Sequence, residues 1–244
     1  KLIVIHQSIN QSNVDIGKKQ KIISFVGKLN SAKGYDIFCQ AIIKILNKYP
    51  TWKAVVAGDE PREIINVKHK NLINLGFQNH KKILELFKKT SIAVACSRWE
   101  EPFGRTSLEA ASRGCAVIIS NRGGLPETIT NGIILRKLNS INLYNAISKL
   151  ITSKNDLIDL QTKSKNNFYL TDKFISNKID DYRKSLISTF VVTPLKTSLQ
   201  KKLKILHVTN FNERHNGRLF YNTGKRLNNG FIRLGHSVLE FSDR

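Results

Sequence analysis

The 244-residue sequence contains no methionine and only three cysteines, and it is poor in acid: 18 Asp and Glu stand against 40 Lys and Arg. No run of about 18 apolar residues occurs, so no segment reads as a membrane-spanning helix. "STFVVTPL" at 188–195 is too short for one and is broken by Pro194. Cys39, Cys96 and Cys115 sit singly in apolar surroundings without C-x-x-C spacing, which reads as buried thiols in a reducing cytosol. The missing methionine, and an opening on "KLIVI", a strand pattern without a start, make a piece of a longer polypeptide the expectation.

The shortage of acid leaves a formal charge of +22. Such a field favours anionic partners: nucleic acid, an acidic membrane surface or phosphorylated ligands. Compositional drift explains it equally well. Lys, Asn and Ile are abundant throughout, as in proteins from AT-rich genomes, and the charge is spread rather than clustered. No dense basic stripe interleaved with aromatics marks a nucleic-acid module, and no nucleic-acid partner is expected.

What the sequence does have is alternation. Short β-branched runs at 21–27, 52–58, 71–76, 91–97 and 115–121 read as strands. Between them, 35–49, 80–89 and 106–114 carry helical spacing, the last ended by Gly114. Apolar strands linked by helices predict an α/β fold with a doubly wound parallel sheet covered on both faces. From about 140 to 190 the pattern becomes helical and more polar. The expected division is a domain over 1–190, a linker over 191–202 and a second unit over 203–244. The latter reads as strand, Gly- and Asn-rich loop, helix and strand, an incomplete Rossmann-like β-α-β start of a second domain.

In open parallel sheets, ligands gather at the carboxyl ends of the strands. "VGKLNSAKG" at 26–34 carries Lys28 and Lys33, two ammonium groups able to grip a diphosphate, or simply a lysine-bearing surface loop. "SRWEEPFGRTSLEAASRGCAV" at 97–117 places Glu101 in a turn and Glu109 about one turn into the following helix. Amides of Phe103, Gly104, Arg105 and Thr106 could meet an anion at that helix start, and Glu109 could accept both hydroxyls of a ribose. The plainer alternative is a solvated acidic loop and a carboxylate favouring the helix dipole. "SNRGGLPETI" at 120–129 offers Gly-Gly amides for a hydroxyl or phosphate, or an ordinary turn before a short helix with Pro126 near its start.

"FVGKLNSAKG", "VVAGDE", "LGFQNHKKILELF", "SRWEEPFGRTSLEAASRGCAV" and "NRGGLPE" occur in this order. Over about residues 1–185 the combination resembles the C-terminal, nucleotide-sugar-binding half of GT-B glycosyltransferases of family four, whose hallmark is the Glu-x7-Glu element. Residues 203–238 look like the start of the N-terminal domain of another such enzyme. The resemblance implies Lys28 and Lys33 on a donor diphosphate, although the family more often has Arg at Lys28. It further implies Glu109 on the ribose, Glu101 on the transferred hexose as the catalytic-site carboxylate, and amides of Phe103, Gly104, Arg105 and Thr106 beside them. Gly76 and Phe77 match the segment that cradles the base.

The implied reaction is retaining hexosyl transfer from a nucleoside diphosphate sugar to a cell-surface glycan or lipid-linked acceptor, the acceptor half lying N-terminal to this chain. The sequence has no Asp-x-Asp and no His/Cys ligand cluster, so neither metal nor cofactor is expected; Asp180 and Asp181 read as solvated. None of His6, His69, His80, His207, His215 and His236 matches the family's functional histidine. A cytoplasmic protein is expected, its charge also suiting peripheral contact with an anionic membrane. The competing classes are a non-catalytic nucleotide- or polyanion-binding fragment and, more weakly, a nucleic-acid binder.

Overall fold

The computed structural model describes residues 3–189, 202–209 and 223–242, and the chain divides into two compact units, Lys1–Thr189 and Phe190–Arg244. In the first, six strands form one parallel sheet: β1 (Gln20–Val26), β2 (Lys53–Ala57), β3 (Leu72–Asn74), β4 (Thr90–Ala95), β5 (Ala116–Ser120) and β6 (Ile133–Leu135). Their spatial order is β3-β2-β1-β4-β5-β6, with Phe25 of β1 in register with Val56 on one side and Val94 on the other. The expected doubly wound sheet is therefore present. Its order reverses between β1 and β4, where the loops after the two strands part and leave a crevice.

Six helices cover the sheet or close the unit: α1 (Tyr35–Lys48), α2 (His80–Lys89), α3 (Arg105–Ala111), α4 (Ser140–Thr152), α5 (Lys154–Asn166) and α6 (Asp172–Thr189). On one face, Ile23, Phe25, Val94 and Ile118 meet Phe38, Ile42 and Ile45 of α1 and Leu143 and Ile147 of α4. On the other, Ala93, Val117 and Ile119 meet Phe87 of α2 and Leu108 of α3. Alternation along each strand sends neighbours to opposite faces, and both faces are apolar because both are covered. Each fully buried Ile, Leu or Phe contributes about 1.5–3 kcal/mol.

Two sequence expectations are corrected. Ile3–Ile5 of the "KLIVI" run form no strand; these three residues are exposed, and pairing in this segment is confined to a single bridge from Ile9 to Thr171. An apolar β-branched run without a sheet edge beside it has no ladder to join. The helix expected over 106–114 is helical over Arg105–Ala111 and continues as turn to Gly114, whose φ of +65° ends it. In addition, the three-residue β6 was not anticipated.

The second unit is a parallel pair, β7 (Lys204–Thr209) and β8 (Ser237–Ser242), joined through α7 (Thr223–Arg233). The His207 ring meets Phe231 edge-on at 5.7 Å, and buried Asn228 donates from Nδ2 to Glu240 Oε1. The expected strand, helix and strand are thus present. The linker at 191–201, the Gly- and Asn-rich loop and His215 lie outside the described residues.

Candidate functional site

The loop from Gly27 to Gly34 leaves β1 and is tied to the end of β4. Ala32 O accepts from Arg98 N at 2.9 Å, Trp99 N at 3.1 Å and Ser97 Oγ at 3.2 Å. Arg98 forks onto Asp36 with both nitrogens at 2.6 Å and reaches Ser31 O at 2.5 Å. The hydrogen-bonded guanidinium holds the Asp36 carboxyl below the usual carboxylate range, against the opposing effect of burial. At the loop's end Gly34 has φ +74°, and a Cβ there would stand 1.9 Å from Cys96 O. Only glycine allows that approach of loop to strand.

These ties aim Lys33 at the next loop. Its Nζ donates to Glu101 Oε1 at 2.5 Å, with the Glu101 side chain only 12% exposed. Glu101 is held from behind: Gly124 N donates to its carbonyl at 2.7 Å, and Gly123 N donates to Glu100 Oε2 at 2.5 Å. A Cβ on Gly123, at φ +52°, would fall 2.3 Å from Glu101 O. The Gly-Gly amides that the sequence offered to a ligand are therefore spent on positioning the glutamate loop. Phe103, 9% exposed, packs into the α3 side of the core, while Gly104, φ +98°, stands at the N-cap of α3, whose first turn no side chain caps.

A cavity of about 280 Å³ opens between these loops at the ends of β1 and β4, lined by Gly27, Lys33, Glu101, Gly104, Arg105 and Thr106 among others. A second cavity, of about 260 Å³, shares Val26 and Gly27 with it and is lined by Lys28, Gly58, Asp59, Phe77, Gln78 and Ile83. Lys28 thus stands in the neighbouring cavity rather than beside Lys33. Gly76 lines neither, but its carbonyl accepts from Gly58 N at 2.8 Å, which joins the third loop to the second.

Glu109 is 3% exposed on α3. Its Oε1 accepts from Arg105 Nε at 3.0 Å and from His80 Nε2 at 2.9 Å. Arg105 thereby connects Glu109 to the Lys33 cavity. The structure brings Lys33, Glu101, Arg105, Thr106 and Glu109 to one end of the sheet, with Lys28 and Phe77 next to them. His80 escaped the sequence reading because its partner lies 29 positions away; the only local sign was its place just after Asn79, which caps α2 by accepting from Lys82 N.

Chemically, the two cavities combine cations for an anion, partly buried carboxylates for hydroxyls, and an aromatic ring for a flat group, at the point where the strand order reverses. The family model described as glycosyl transferases group 1 matches residues 7–168, more than half of the chain. The chain belongs to this family. Its relatives include spore coat protein SA of Bacillus subtilis, 32% identical over 151 residues, 55% of this chain and 40% of that protein. The chain thus spans less than half the length of that relative. Among solved structures it resembles a glycosyltransferase from Rickettsia africae, TM-score 0.64 at 22% identity, covering 77% of this chain and 58% of that one. It also resembles Anabaena HepE in complex with UDP and glucose, TM-score 0.57 at 20% identity, covering 70% and 49%. Those likenesses identify the α/β fold of GT-B glycosyltransferases. No helix among the described residues is long and apolar enough to cross a membrane, and no group of three or more His, Cys, Asp or Glu among them is placed to hold a metal.

Proposed function

We propose that the first unit is the donor-binding, C-terminal half of a family-four glycosyltransferase. The reaction is transfer of a hexose from a nucleoside diphosphate sugar, with retention, to a cell-surface glycan or lipid-linked acceptor. The observation that carries this reading is the meeting of Lys33, Glu101 and Arg105 in one cavity at the reversal of strand order. HepE, solved with UDP and glucose, has the same fold and supports the ligand class.

In this reading Lys33 and Lys28 hold the diphosphate, and Phe77 and Gly76 flank the base. Glu109 accepts the ribose hydroxyls and Glu101 those of the hexose, while amides of Phe103 to Thr106 border the phosphates. The bond from the anomeric carbon to the diphosphate oxygen breaks as negative charge gathers on the leaving group. Lys33, Lys28 and Arg105 supply the opposing potential in a partly dry site, with no cofactor assigned. The Lys33–Glu101 pair yields as the phosphate takes the ammonium. That exchange frees Glu101 for sugar hydroxyls. We assign acceptor binding to another part of the protein, and read the enzyme as cytoplasmic, its net charge of +22 suiting peripheral contact with an anionic membrane.

The test is calorimetry of the chain with UDP, GDP and ADP, repeated for Glu109→Ala. One nucleotide should bind, and Glu109→Ala should weaken it at least tenfold, the scale of a lost charge-assisted hydrogen bond. Unchanged affinity in the variant would remove the assignment. Binding without sugar transfer by the complete gene product would leave a nucleotide-binding relic instead.

A further inference from the structure

The buried carboxylate of Glu109 is held one-sidedly. Both of its donors, Arg105 Nε at 3.0 Å and His80 Nε2 at 2.9 Å, fall on Oε1. Among the described residues no donor reaches Oε2. A carboxylate has about four lone-pair positions, so a group gripped at one oxygen presents the other. A carboxylate only accepts, so the His80 nitrogen facing it carries the hydrogen.

The two donors are not equivalent. Arg105 also lines the Lys33 cavity, where its guanidinium would be drawn to an anion and its hold on Glu109 loosened. His80 lines neither of the two cavities. It is the first residue of α2, whose start is pinned by Asn79 Oδ1 accepting from Lys82 N at 3.0 Å. The same helix contributes Ile83 to the cavity that holds Phe77. A rigid helix start therefore fixes the ring, and the ring spans from α2 to α3. With its side chain 54% exposed, His80 contributes little to the core.

We propose that His80 is a positioning residue for donor specificity: it fixes Glu109 Oε1 so that Oε2 meets a ribose hydroxyl, and it thereby sets the preference for a ribonucleotide over its 2′-deoxy form. This rests on the donor reading above.

The test is calorimetry of the 244-residue chain with UDP, GDP and ADP and the 2′-deoxy form of whichever binds, in the parent, His80→Ala and His80→Gln. The parent should prefer the ribonucleotide. His80→Ala should weaken ribonucleotide binding by about 3–10-fold, the scale of one lost hydrogen bond. It should weaken the deoxynucleotide, which keeps only the 3′ hydroxyl, by less, and so shrink the preference, at an unaltered melting temperature. His80→Gln, whose amide can donate to Oε1, should restore most of the preference. An unshrunken preference in His80→Ala, equal weakening of both nucleotides, or no recovery in His80→Gln would overturn the role of His80 and leave the donor site standing. A parent chain that binds none of the nucleotides would overturn the donor reading and this role together.

Discussion

Lys33 Nζ and Glu101 Oε1 stand 2.5 Å apart, although 68 positions separate the residues in sequence. Both residues line the cavity between the β1 and β4 loops, and each member has a part of its own in the proposed donor site. In the absence of donor they neutralise each other. Lys33→Ala should weaken nucleoside diphosphate binding about 10–100-fold, because a charge-assisted hydrogen bond to phosphate is lost. Glu101→Gln should leave nucleotide affinity within a few-fold and depress sugar transfer by the complete protein. Titration calorimetry and a transfer assay separate the two effects.

Gly34 carries a backbone demand. With φ at +74° and Cys96 O where a methyl would go, Gly34→Ala forces the loop off the end of β4. We expect a loss of about 2–4 kcal/mol, read as a lowered denaturant midpoint, together with weaker nucleotide binding because Lys33 is displaced.

Asp36 ties stability to pH. Its carboxyl is held below the usual range by Arg98, so the folded state gives up this proton more readily than the unfolded chain. The resulting stability is fully present above the unfolded carboxylate pKa, about 4, and is lost as pH falls through the lower folded value. Asp36→Asn should flatten the acid limb of a stability–pH curve measured by denaturant unfolding and lower its neutral-to-alkaline part by a constant amount, the stability that the ionised carboxylate contributes there.

The three cysteines are buried and free, and burial pushes the Cys39 thiol up to about 11 and the Cys96 thiol up to about 12. A thiol reagent at pH 8 should label none of them in the folded chain and all three after denaturation. Rapid native-state labelling would contradict the packing of Cys96 against the Gly34 turn.

Much of this was legible in the sequence because local pattern and tertiary role agree. β1, β2, β4 and β5 are apolar on both sides, and only a doubly covered parallel sheet satisfies that pattern. Lys33, Glu101, Arg105 and Glu109 were singled out because they lie in the loops after β1 and β4 or in the first turns of α3, the end of the sheet where such folds collect ligands. Features that depend on distant partners were not legible. His80 looks like any polar helix start until α3 is folded beside it. Gly123 and Gly124 resemble a ligand-binding turn until the Glu101 loop takes their amides. "KLIVI" has strand composition, yet Ile3–Ile5 pair with no strand among the described residues. β6, at three residues, is too short for a period to register.

The most direct test of the donor site is the affinity of the bound nucleoside diphosphate sugar for three single variants: Lys33→Ala, Glu109→Ala and Lys21→Ala. Lys21 stands near the start of β1, at the opposite end of the sheet from the cavity, and removes the same charge as Lys33. The account predicts at least tenfold weaker binding for the first two and parent-like binding for Lys21→Ala. Equal losses for both lysine variants with Glu109→Ala unaffected would contradict it, leaving a polycation that attracts anions without a site.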